Sequence, residues 1–242
     1  MAVLIVGVFS FDGLFGTANS NTGVGSPEPY SQAFGPASAQ AASATGGPWT
    51  IVAAEGIGTP STVSQSNAEQ LVEGDCTFTP APNSPGTITV SSTSNSATAG
   101  EVSSWFFFAI NASQDGVLVI ESSGGSAAAW GTVTGSGPDC ADEFTGLAPV
   151  NSTDVLDSTT VAAAFNVGGG SSFLANNSVG LQLFILFGAT ASTSVPTVPA
   201  WDVIYSTCAF ASTGGNGTQY TAAYLATTGE LFEGPTAEST SC

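Results

Sequence analysis

Apolar runs no longer than a β-strand recur along the chain between clusters of Gly, Ser, Thr, Asn and Pro. They are WTIVAA (49–54), TITVSS (87–92), WFFFAI (105–110), GVLVIES (116–122), TVAAAFNV (160–167), LQLFILF (181–187), WDVIYSTCAF (201–210) and TQYTAAYLAT (218–227). Their β-branched and aromatic content, their length and their turn-forming boundaries predict strands. Repeated over the stretch 49–242, the pattern predicts an all-β body, an Ig-like or jelly-roll type β-sandwich of one or two packed β units. The aromatic run Trp105 to Phe108 reads as a core strand in preference to a ligand platform or a membrane-touching patch.

A further apolar run, MAVLIVGVFSF, precedes this body and stops at Asp12-Gly13. Its two alternating sets, Val3, Ile5, Phe9, Phe11 and Leu4, Val6, Val8, are both apolar, so as a strand it needs cover on both faces. It is far shorter than the ~20 residues a membrane-spanning helix requires, and it lacks the basic flank of a signal peptide. Residues 13–48, rich in Gly, Ser, Ala, Asn and Pro, read as a flexible connector. A short helix from Pro36 to Thr45, stopped by Gly46-Gly47, is conceivable there but offers little apolar face for docking. The expected organisation is thus an extended apolar strand over 1–12, a connector over 13–48 and a β-sandwich over 49–242.

Charge changes the picture most. The 242 residues contain 18 Asp and Glu but no Lys, Arg or His, a net charge of −18 at pH 7. Salt bridges among side chains are therefore impossible. A polyanion without a basic patch cannot release counterions from phosphates, which excludes nucleic acid and anionic headgroups as partners. A halophilic coat is denser in acid than the 7% found here, and the mean hydropathy of +0.28 is too high for one. Acid tolerance fits better, because near pH 3 carboxyls with ordinary values of about 3.9 and 4.3 lose their charge while no base accumulates any. Greater stability at pH 3 than at pH 8 is expected wherever like-charge neighbours raise a carboxyl pKa in the folded state.

Cys76, Cys140, Cys208 and Cys242 are even in number, widely spaced and without a CxxC or a His to complete a metal site. Two structural disulfides are expected, with Cys76–Cys140 and Cys208–Cys242 the favoured of three pairings, in an oxidising environment outside the cell. Sequons at Asn111, Asn151, Asn176 and Asn216 are candidates for N-linked glycan. The acidic groups Glu69, Glu73, Asp75 and Asp139, Asp142, Glu143 offer oxygen to Ca2+ but match no calcium-loop spacing, and read as solvated acidic rims. No cofactor and no catalytic set is expected. Without His, Lys or Arg neither a serine triad nor a Cys-His dyad can be built. Asp157-Ser158-Thr159 lacks the glycine of an aspartic-peptidase signature, and no Gln–Glu pair marks a glutamic-peptidase-like site.

The apolar amino-terminal strand, the low-complexity connector, the segment GGPWTIVAAEG (46–56) opening a β-rich body, and the Ser/Thr/Asn-rich composition with sequons occur together here. In these features the chain resembles subunits of archaeal extracellular filaments joined by donor-strand complementation, of the kind called threads, and related bundling pili. The resemblance implies a cell-surface homopolymer in which residues 3–11 (Val3, Leu4, Ile5, Val6, Val8, Phe9, Phe11) complete the sandwich of the next subunit. It also implies export, with Met1 taken as the start of the processed chain. Lysine–asparagine crosslinks cannot form, so covalent reinforcement falls to the disulfides. A type IV pilin is disfavoured because the apolar run ends too early. The alternatives are a monomeric cell-surface or S-layer β-domain and, behind it, an acid-active carboxyl peptidase.

Overall fold

A computed structural model describes residues 26–58, 63–65, 77–82, 84, 88–90, 98–113, 115–135, 144–189, 198–208 and 215–242. Eleven strands are present among them: β1 Thr50–Gly58, β2 Val63–Gln65, β3 Thr77–Pro80, β4 Ile88–Val90, β5 Ser104–Ile110, β6 Val117–Ser123, β7 Ser126–Thr134, β8 Leu181–Phe187, β9 Ala200–Ser206, β10 Asn216–Leu225 and β11 Leu231–Ser241. Nine of them form one antiparallel sheet in the order β11-β10-β9-β8-β1-β5-β6-β7-β3, while β2 and β4 pair separately. Two meanders, β5 to β7 and β8 to β11, flank β1, which bonds to β5 on one side and β8 on the other. The all-β class read from the sequence is the observed one.

Both faces of the large sheet are apolar, which gives the fold its sandwich-like character. On one face Trp105, Phe107, Phe184, Trp201 and Tyr205 form a core with the helices. On the other, Ile57, Phe106, Phe108, Val119, Trp130, Ile185 and Ile204 pack together with Phe144. The aromatic run of β5 thus divides by strand alternation, Trp105 and Phe107 to one side and Phe106 and Phe108 to the other. Gly56 lies under Trp105 so closely that a Cβ there would stand 2.7 Å from the indole ring. Its position in the middle of β1 is a packing requirement.

The helix expected to begin at Pro36 instead runs from Tyr30 to Ser43 as α1, with Pro36 inside it. It docks, contrary to expectation. Tyr30, Ala33, Ala37 and Ala41 recur at helical spacing and are all buried against the sheet. Alanine supplies little apolar area, but it lets the helix backbone lie close over the large rings of the sheet. Tyr30 meets Trp105 and Trp201 edge-on at centroid distances of 5.7 and 5.4 Å. Glu28, ahead of the helix, bridges Val102 through two backbone hydrogen bonds. Within the stretch read as connector, Tyr30, Ala33, Ala37 and Ala41 belong to the core.

A second correction concerns TVAAAFNV, read as a strand. Ser158–Phe165 is a helix, α2, continued through a π-helical turn, Asn166–Gly170, into α3, Ser171–Asn176. Asp157 caps α2, accepting from the Ser158 backbone N–H at 2.9 Å, and its carboxylate also accepts from Ser31 Oγ at 2.8 Å. The cap and three alanines outweigh the β-preference of Val161 and Phe165. Val161, Ala162 and Phe165 then face the sheet. β2, β3, β7 and β11 are strands for which the apolar pattern gave no signal.

Cys208 and Cys242 form a disulfide with Cα atoms 5.3 Å apart, as favoured from the sequence. It joins the ends of β9 and β11 across β10. Cys76 and Cys140 lie outside the described residues, as do the donor segment 3–11 and the acidic groups at 69–75 and 139–143. No helix among the described residues is long and apolar enough to cross a membrane.

Candidate functional site

Strand register assembles an arrangement that spacing along the chain conceals. Glu55 of β1 lies opposite Phe106 of β5 and Ile185 of β8. Phe106 lies opposite Glu121 of β6, and Ile185 opposite Asp202 of β9. Asp202 in turn lies opposite Ala223 of β10, which faces Glu233 of β11. Directly paired residues point to the same side of a sheet. Glu121, Glu55, Asp202 and Glu233 therefore form one transverse row on the face opposite the helices, with a carboxyl on every second strand and backbones roughly 10 Å apart.

The members of this row differ in what surrounds them. Glu55 is 1% exposed and its Oε2 has no hydrogen-bond partner. Burial alone pushes its pKa up to about 8. Asp202 is 9% exposed, its carboxyl accepts no hydrogen bond among the described residues, and its pKa is pushed up to about 7, first by burial and then by the charge of Glu233. Glu121 is better supported, since Trp130 Nε1 and Ser104 Oγ each donate to it at 3.1 Å. Burial still holds its pKa above the ordinary value, against those two bonds. On the helix face, Glu28 is likewise raised by burial, although it accepts from the Gly125 backbone N–H at 3.0 Å and from Ser122 Oγ.

At the β11 end of the row the sheet opens into a cleft of about 180 Å3 over β9, β10 and β11. Asp202, Ile204, Gln219, Thr221, Glu233 and Glu238 contribute to its wall. Gln219 stands directly across from Glu238. The lining is hydrogen-bonding and acidic, with no cation to balance it. β11 itself is exposed along nearly its whole length and, among the described residues, pairs only with β10. Leu231 and Phe232, at its start, are 51% and 45% exposed.

The sequons sit where glycan is sterically tolerable. Asn151, Asn176 and Asn216 are exposed, at a loop, the last residue of α3 and the first residue of β10, and Asn111 follows β5 partly exposed. No group of three or more His, Cys, Asp or Glu side chains among the described residues is arranged to hold a metal ion. Glu55, Asp202 and Glu121 escaped the sequence reading. Their signal was present as single acids within otherwise apolar strands, in TIVAAEGIG, AWDVIYS and VLVIESS. Comparison of the chain with protein-family models, with curated proteins and with solved structures found no match.

Proposed function

We propose that this chain is the structural subunit of an extracellular, pilus-like filament at the cell surface, polymerising head to tail by insertion of its apolar segment 3–11 into a neighbouring copy. The observation that carries the reading is the open edge on β11, 11 residues long and exposed throughout its central part. Such an edge presents a row of unpaired backbone groups, and folded proteins shorten, cover or pair edges of this length. A nine-residue strand spans roughly 30 Å, within the roughly 36 Å of β11. Val3, Leu4, Ile5, Val6, Val8, Phe9 and Phe11 would contribute on the order of 10 kcal/mol on burial. The disulfide supports an oxidising location, and the uncharged segment is compatible with an edge that has no cation to offer.

Electron microscopy of the purified protein at pH 3, with and without residues 1–11, tests the reading. Filaments formed by the full chain and lost on truncation are expected. Discrete particles in both samples would return the monomeric surface domain to the front.

A second reading rests on the cleft. Gln219 opposite Glu238, beside the buried Asp202, is the kind of amide–carboxyl pair an acid-active carboxyl peptidase uses. Cleavage of a denatured protein substrate at pH 3, abolished in both Q219A and E238Q, would establish it, and absence of cleavage would remove it.

A further inference from the structure

We propose that docking along β11 is gated by acid: a strand from a second copy pairs with Leu231–Ser241 only when the carboxyl groups of Asp202, Glu233 and Glu238 carry protons. The inference rests on the filament reading and concerns the regulation of the same edge. Thr236 and Glu238 alternate onto the cleft face of β11, in register with Thr221 and Gln219 of β10, and Glu233 reaches the same face through the irregularity at Gly234-Pro235. A tenth strand laid outside β11 would place every second side chain about 5 Å from these groups. If that strand is residues 3–11, those side chains are aliphatic or aromatic, with no polar group but Ser10 to offer.

Docking therefore removes water from Glu233 and Glu238 and closes the cleft over Asp202, whose carboxyl already lacks a hydrogen-bond partner among the described residues. An ionised carboxylate tolerates this only if a cation or a set of donors replaces the water. No copy of this chain can supply the cation, because it has no Lys, Arg or His. Protons are the remaining counter-charge. Edge strands elsewhere are guarded against unwanted pairing by charged side chains, lysine above all. Here the guards are carboxylates, which acid removes and higher pH restores.

The titratable groups facing the gate come from each neighbouring strand. β11 supplies Glu233 and Glu238, β9 supplies Asp202, and Glu55 of β1 lies along the same row beyond Ile185 of β8. β10 contributes Gln219, Thr221 and Ala223 on this side, while its Tyr224 packs in the helix-side core and its Tyr220 hydroxyl donates to Gly168 O. Glu230 lies at the β10–β11 turn, beside Thr228 Oγ1.

The test is assembly of the full chain at pH 3, 5 and 7, followed by sedimentation and electron microscopy, in the wild type, in E238Q and in D202N/E233Q/E238Q. A group whose pKa rises by one pH unit on docking weakens docking about tenfold once it is ionised, so two or three such groups raise the critical concentration at pH 7 about 100-fold or more over pH 3. The triple variant is expected to lose most of the difference between pH 3 and pH 7. E238Q, altered only at an exposed position of β11, is expected to recover about tenfold. Wild type and variants with the same pH profile would overturn the gate and leave the filament reading standing. Absence of filaments from all three proteins at pH 3 would overturn both.

Discussion

Glu55 ties the stability of this protein to pH through a single side chain. Its carboxyl sits between Phe106 and Ile185 with one oxygen unpartnered, and its folded pKa of about 8 lies well above the ordinary 4.5. Between those values the folded state keeps a proton that the unfolded chain gives up. The stability linked to that proton is fully present below pH 4.5 and is lost as pH rises through 8. At 1.36 kcal/mol per pH unit, the interval corresponds to about 5 kcal/mol, a large share of the roughly 5–15 kcal/mol that holds an ordinary domain folded. Replacing Glu55 with Gln removes the titration and keeps the shape. The amide introduces donors that the site does not satisfy, at a pH-independent cost of about 1–3 kcal/mol. Urea denaturation at pH 4, 6, 8 and 9 should therefore show E55Q less stable than the wild type at pH 4 and more stable at pH 9. Asp202 still titrates in the variant, so part of the slope remains and D202N/E55Q should flatten it further. Wild-type and E55Q stability curves that run parallel from pH 4 to pH 9 would refute the assignment of that slope to Glu55.

Other consequences are as direct. Opening the Cys208–Cys242 disulfide in C208A/C242A frees a loop closed over a sequence separation of 34 and should cost about 4 kcal/mol by the chain-entropy estimate, read as a lower urea midpoint at pH 4. Ala37 is fully buried on the sheet-facing side of α1. A37L should cost about 1–3 kcal/mol by forcing the helix off the sheet, with a loss of near-ultraviolet dichroism from Trp105 and Trp201. W130F removes a donor to Glu121 and should raise that carboxyl's pKa further, seen by carbon NMR of the labelled carboxylates; an unchanged titration would show that the indole contributes nothing.

Much of the architecture is legible in the sequence for a plain reason. LQLFILF and WFFFAI are short, apolar on both alternating sets and bounded by turn residues, which specifies strands buried on two faces, and β8 and β5 fall within a residue of the expected limits. TVAAAFNV carries the same apolar density, but a run of that length does not separate period 2 from period 3.6. The Asp157 cap and the docking face of Val161, Ala162 and Phe165 decided for helix. The alanines of α1 carry little apolar area, so the docking of this helix shows only in the close approach to the sheet that they permit. β11 has almost no apolar pattern, since it is an exposed edge with nothing packed over most of its length.

By itself the sequence determined the all-β class and the absence of any positive side chain, and hence of salt bridges between side chains. Those properties are sums over residues and do not depend on which residue meets which. The carboxyl row, the cleft at its end and the open edge beside it were decided only by the tertiary structure. Alternation along a strand says which face a side chain takes, but the register between Glu55 and Asp202 is set by hydrogen-bond ladders that pass through β8, far away in the chain. Burial then did what composition cannot, turning acids that would titrate near 4 into groups that keep their protons toward neutral pH.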